Sequence, residues 1–156
     1  HPGEYELIVD RLRSGKSTRV LEAYPEAAPV LAELRARGVQ LAVCSNWDWD
    51  LAEAVDEVGL TGTTDVLVSS AWAGARKPHP LIFEHTLAKT GADPARTLFV
   101  GDTWGPDVIG PRAVGMTPLY LLRVDHWNDP TAPGDPAAEA MCANDLTAVL
   151  SLTEPS

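Results

Sequence analysis

The chain is expected to fold as an α/β protein with a doubly wound parallel sheet, on three observations. Short apolar runs in Gln40-Leu-Ala-Val-Cys44, Asp65-Val-Leu-Val-Ser69, Leu98-Phe-Val-Gly101 and Thr117-Pro-Leu-Tyr-Leu-Leu122 have the length and continuity of strands buried on both faces. Segments with apolar residues at helical spacing lie between them, and right-handed crossovers turn that alternation into a parallel sheet with helices on both sides. Polar groups gather where the runs end, the edge at which open α/β sheets bind ligands.

Taken in order, residues 4–13 place Tyr5, Ile8 and Leu12 at helical spacing. Gly15-Lys16-Ser17-Thr18 looks like the end of a phosphate-binding loop, but Asp10 stands where that motif needs glycine, so the motif is rejected. Ala27, Val30, Leu31 and Leu34 mark the next helix, with Pro29 in its first turn and Gly38 as its left-handed cap. Glu33 and Arg37 are spaced to pair on its exposed side. After the 40–44 strand comes the polar hinge Ser45-Asn46, then a helix capped by Asp48 or Asp50 with Leu51, Ala54, Val55 and Val58 inward. Trp47, Trp49 and Trp72 are expected to be packing groups, with substrate contact as the alternative for Trp47.

Following the 65–69 strand, the prolines of Arg76-Lys77-Pro78-His79-Pro80 stiffen the backbone and aim Lys77. The next helix turns Ile82, Phe83 and Leu87 inward; His79 and His85 lack metal-ligand spacing and read as structural. Past the 98–101 strand, Gly110 and Pro111 weaken the helix starting at Pro106, so a kink or early end is expected. A strand over 117–122, a Pro/Asp-rich loop over 125–136 and a short helix over 146–152 complete the chain.

A length of 156 residues suits one domain with its own core. No apolar run approaches membrane-spanning length, and His1-Pro-Gly-Glu is unlike a signal peptide, so a cytoplasmic protein with no membrane partner is expected. Cys44 and Cys142 form no metal motif and are expected to be reduced. The net charge of −10 argues against a nucleic-acid partner.

The chemistry centres on Leu98-Phe-Val-Gly-Asp102-Thr-Trp-Gly-Pro-Asp107. Two carboxylates across a bend at a strand's C-terminal end suit a hard cation such as Mg2+. The alternative is that Asp102 caps a turn and Asp107 favours a helix N-terminus. Ser45 and Asn46 would point into the same crevice, against the alternative of an ordinary turn, and Lys77 would offset the carboxylates or contact a phosphate.

Together, Ser45-Asn46, Lys77-Pro78 and Gly101-Asp102 through Asp107 resemble the second, third and fourth signature motifs of the haloacid dehalogenase-like hydrolases. The resemblance spans residues 24–123 and implies a Rossmann-like sheet. It implies that Ser45 hydrogen-bonds a phosphoryl oxygen, Asn46 lines the same pocket and Lys77 offsets charge on nucleophile and phosphate. Asp102 would ligate Mg2+, with Asp107 ligating it or holding its water shell. Gly-Asp with a second Asp is similar to the Mg-dependent phosphatases, whereas the dehalogenases proper replace the first Asp. Phosphate monoester hydrolysis on a small phosphorylated metabolite is therefore the implied activity.

One motif departs from the family. Its first strand ends in Asp-x-Asp, the nucleophile and the general acid-base, and this chain has no apolar strand ending in such a pair ahead of Ser45. Leu7-Ile-Val-Asp10 is a degenerate candidate, because Leu12 occupies the partner position. The expected organisation is residues 1–23 as the end of a helical cap, 24–123 as the core and 124–156 as an acidic loop and helix completing it. The nucleophile strand would lie between the Ser45 and Asp102 strands. Without it, two inner edges stand open, favouring closure, recruitment of another segment or self-association. The chain alone is expected to be inactive. Two alternatives stay open: a noncatalytic relative binding phosphate or a partner through Ser45 and Lys77, and an unrelated doubly wound binding module in which Ser45, Lys77 and Asp102 do not converge.

Overall fold

The computed structural model describes residues 21–123 and 129–153. The helix expected over 4–13, Asp10, the 15–18 loop and most of the expected cap segment lie outside the described residues. Helix α1 spans Ala27–Ala36, strand β1 Ala42–Ser45, helix α2 Leu51–Glu57 and strand β2 Val66–Ser69. A four-residue helix α3, Ser70–Ala73, follows, then α4, Pro80–Thr90. Strand β3 is Leu98–Gly101; a π-helical turn, Gly105–Ile109, leads into α5, Gly110–Ala113. Strands β4, Thr117–Leu121, and β5, Met141–Ala143, precede helix α6, Ala148–Leu152.

All strand pairs are parallel. β1 pairs with β2, and β3, β4 and β5 form a second set in that order. β1 and β3 are not hydrogen-bonded to each other, so among the described residues each keeps one unpaired long edge.

Alternation along β3 shows how the layers are built. Leu98 and Val100 join Leu119 beneath α1 and α6, which contribute Val30, Leu34 and Val149. Phe99 points the other way, edge to face with Phe83 of α4 at 5.3 Å. Phe83 and Ile82 are fully buried and share a cluster with Val68 of β2, so α4 packs against both sets of strands. Helices on opposite faces of parallel strands are what the doubly wound pattern requires.

Local signals explain several boundaries. Pro29 is tolerated in the first turn of α1, where its missing N–H has no intrahelical partner. Gly38 takes the left-handed conformation past its end, with φ 77°. Glu33 and Arg37 pair at 2.8 Å. Asp65 ties α1 to the entry of β1, accepting from Arg35 Nη1 at 3.0 Å and from Leu41 N at 2.8 Å. These bonds hold its carboxyl below the ordinary value, the Leu41 N–H contributing most. At the other end of the sheet, Arg123 lies over the Tyr24 ring at 3.4 Å and pairs with Glu26, joining the end of β4 to the start of α1.

The structure corrects the reading of two tryptophans and adds two elements. Trp49 and Trp72 are 64% and 66% exposed rather than packed inside. They sit in the rim segments after β1 and β2, not on inward helix faces, and pack edge to face on each other at 4.7 Å. The helix from Pro106 is a π-helical turn, Gly105–Ile109, that runs directly into the short α5 and stops at Ala113, the early end anticipated from Gly110 and Pro111. β5 and α3 are additional elements.

Candidate functional site

Four segments meet at the C-terminal ends of β1 and β3. Asn46, just past β1, grips the backbone of Lys77 at two points: its Oδ1 accepts from Lys77 N at 2.7 Å and its Nδ2 donates to Lys77 O at 3.1 Å. Residue 77 is thereby held before its side chain is considered. That side chain runs over the Phe99 ring, with Nζ 5.1 Å from the ring centre, and donates to Asp107 Oδ1 at 2.6 Å. The ion pair is secluded, with Lys77 and Asp107 side chains 12% and 5% exposed. The Lys77–Pro78 peptide is cis.

Asp107 in turn organises the bend after β3. Its Oδ2 accepts from Thr103 N at 3.0 Å, and its own N–H donates to Thr103 O at 2.8 Å. Only glycine fits at position 101, since a Cβ there would lie 2.4 Å from Asp107 Cγ. Trp104, buried and edge to face with Tyr120 at 5.3 Å, anchors the far side of the bend. Its backbone N–H donates to Asp129, whose other oxygen accepts from Thr131 N at 2.9 Å and Thr131 Oγ1 at 2.7 Å. Burial raises the Asp129 carboxyl, but these hydrogen bonds outweigh it and leave the group below its ordinary value.

The expected site residues are thus brought together to different degrees. Asn46, Lys77 and Asp107, from three separate segments, form one directly bonded cluster. Asp102 is exposed and reaches it through Thr103, whose hydroxyl donates to Asp102 Oδ1 at 3.5 Å. Ser45 is half-buried at the last position of β1, in register with Ser69 and next in sequence to Asn46. Sequence reasoning did not single out Asp129. Its signal was an acid in a Pro-rich loop, which nothing local connects to the bend at Trp104.

Two carboxylates are the hard oxygen ligands Mg2+ takes, and it commonly binds through one or two of them while keeping waters. Both oxygens of Asp107 are engaged, by the Lys77 ammonium and the Thr103 N–H, which suits it to a water shell; exposed Asp102 is the one with oxygens to offer. Among the described residues, no group of three His, Cys, Asp or Glu side chains forms a metal cage. The chemistry of these two carboxylates fits Mg2+.

A sequence profile of the haloacid dehalogenase-like hydrolases matches residues 3–115. The chain belongs to this family. It is 41% identical over 96 residues to a human haloacid dehalogenase-like hydrolase domain-containing protein 3, covering 62% of this chain and 38% of that one. It is 35% identical over 113 residues to a phosphoserine phosphatase of Thermus thermophilus, covering 72% of this chain and 45% of the relative. Among solved structures, a phosphatase of the family from Thermococcus onnurineus superimposes with a TM-score of 0.72 at 26% identity, covering 83% of this chain and 57% of that one. The chain thus spans less than half the length of these two curated relatives. No helix among the described residues is long and apolar enough to cross a membrane.

Proposed function

We propose that this chain is the phosphate-holding part of a Mg2+-dependent phosphate monoester hydrolase acting on a small phosphorylated metabolite. The observation that carries the reading is the Asn46–Lys77–Asp107 cluster, which sets a cation at the C-terminal edge of parallel strands beside an exposed carboxylate. Relatives named phosphoserine phosphatase and phosphoglycolate phosphatase support the substrate class.

In this reading the Ser45 hydroxyl donates to a phosphoryl oxygen and Asn46 keeps the Lys77 backbone still. The Lys77 ammonium, which has two N–H donors beyond the one used on Asp107, offsets charge on the phosphoryl group. Asp102 would hold Mg2+ and Asp107 its water shell; when bound, the metal supplies charge neutralisation at phosphorus. The nucleophile belongs to an Asp-x-Asp strand that fills the space between β1 and β3 and closes both open edges. Residues 24–123 act as the core, 124–156 complete it and 1–23 end a cap.

The test is calorimetric titration of the chain with inorganic phosphate, with and without Mg2+. Mg2+-dependent binding, weakened at least about tenfold in Ser45→Ala, is the expected result. The chain alone is expected to show no Mg2+-dependent hydrolysis of an aryl phosphate. Absence of phosphate binding, or robust turnover abolished by Asp10→Asn, contradicts this reading.

A further inference from the structure

The bend that carries Asp102 and Asp107 has two consecutive backbone N–H groups that the parallel strands cannot satisfy. Thr103 N donates to Asp107, which belongs to the bend itself. Trp104 N donates to Asp129, which lies on the loop after β4, twenty-five positions away. We propose that Asp129 is a positioning residue for the candidate metal-binding carboxylates, acting through the Trp104 peptide.

Three features support this role. First, Trp104 is fixed at both ends, its indole against Tyr120 and its N–H on a carboxylate that is only 8% exposed. A charged acceptor on a buried N–H is stronger than a neutral one, so this end of the bend is held firmly. Second, the atoms that matter are adjacent: Thr103, which bonds both carboxylates, is bonded covalently to Trp104. Third, Asp102 has little else to set its direction. Its one bond to a described side chain is the 3.5 Å contact from the Thr103 hydroxyl, so the backbone path from Gly101 to Trp104 decides where its oxygens point. Asp107, by contrast, has Lys77 as an independent hold.

The competing explanation is that Asp129 only folds its own loop. Its Oδ1 takes the N–H and hydroxyl of Thr131, while its Oδ2 takes Trp104. Because the two jobs use different oxygens, they can be separated. In Asp129→Asn, the amide oxygen can keep the Thr131 bonds while the NH2 group meets the Trp104 N–H donor to donor. In Thr131→Ala, the hydroxyl bond in the loop is lost while the Trp104 link stays.

The experiment compares the whole chain with these two variants. Amide hydrogen exchange is measured by NMR at Thr103 and Trp104, and Mg2+ alone is titrated by calorimetry. Asp129→Asn is expected to speed exchange at Trp104, and to a lesser degree at Thr103, by at least about tenfold relative to strand amides of β4. It is also expected to weaken Mg2+ at least about tenfold, the scale seen when a residue supporting a metal ligand is removed. Thr131→Ala is expected to change neither. The proposal is overturned if Asp129→Asn leaves exchange at Thr103 and Trp104 as it was, or if Thr131→Ala reproduces its effects. The metal arm rests on the proposed Mg2+ site and the exchange arm does not. A wild-type chain that ignores Mg2+ therefore counts against that site, while the exchange data still decide whether Asp129 holds the bend.

Discussion

Asn46 holds the peptide of Lys77 with both ends of its carboxamide, at 2.7 Å and 3.1 Å, across a sequence separation of 31. A side-chain amide mimics a strand's paired donor and acceptor here, so the loop that carries the cation is fastened to the end of β1 as another strand would be. Lys77 then needs to order only its own methylenes to reach Asp107.

Asn46→Asp keeps the acceptor for Lys77 N but sets an oxygen against Lys77 O. A loss of about 1–3 kcal/mol is expected from the unsatisfied, repelling pair. A urea titration checks it: the midpoint should fall with the slope unchanged. An unaltered midpoint would mean that the clamp contributes nothing to the fold.

The Lys77–Asp107 pair is secluded enough that removing one partner strands the other. Lys77→Met should cost roughly 3–5 kcal/mol, because the Asp107 charge stays buried with only the Thr103 N–H as a described partner. Adding Asp107→Asn to Lys77→Met should recover part of that loss. Denaturation midpoints of the two single variants and the double variant close the cycle; simple additivity would show that the pair is uncoupled.

Gly101→Ala places a methyl group 2.4 Å from Asp107 Cγ. One of the two must move, at a cost of at least about 1–3 kcal/mol, and Asp107 shifts against both Lys77 and Thr103. The thermal midpoint reports the first effect and the Thr103 amide shift the second. A variant as stable as the parent, with that shift unmoved, would contradict the close approach.

Asp65 makes stability depend on pH with a defined sign. Its folded carboxyl lies below its ordinary value of 3.8, chiefly through the Leu41 N–H and then Arg35. The contribution is fully present above the unfolded value and is lost as pH falls through the lower folded one. Asp65→Asn should therefore lose stability relative to the parent near neutrality, the two converging at pH values below 3.8. Urea midpoints across that range check it; a constant gap at all pH values would show that the carboxylate is not the cause.

Much of the strand framework was legible because runs such as Leu98-Phe-Val-Gly101 are apolar on both faces and end in a glycine or a polar pair. β5 was not, since the three residues Met141–Ala143 give no period to recognise and its partner is β4, a tertiary choice. α3 escaped for a similar reason: four residues make barely one turn, and its start is set by Ser69 accepting from Trp72 N. The tryptophans misled because bulk suggests burial, whereas Trp49 and Trp72 occupy the rim. At the site, the residue types were readable from strand ends, and Lys77 as compensation for a carboxylate follows from charge. That Asn46 fastens Lys77, or that Asp129 reaches Trp104, depends on segments meeting in space, which no local pattern encodes.

A hydroxyl and an ammonium on one anion, with a carboxylate reaching it through Mg2+, are the core of the proposed site, and a crystal structure of the chain grown with Mg2+ and inorganic phosphate tests it most directly. The expected result is a phosphate oxygen within hydrogen-bond reach of Ser45 Oγ, a second near Lys77 Nζ and the metal on Asp102. Phosphate found elsewhere on the molecule, with those three side chains turned away from a common point, would contradict it.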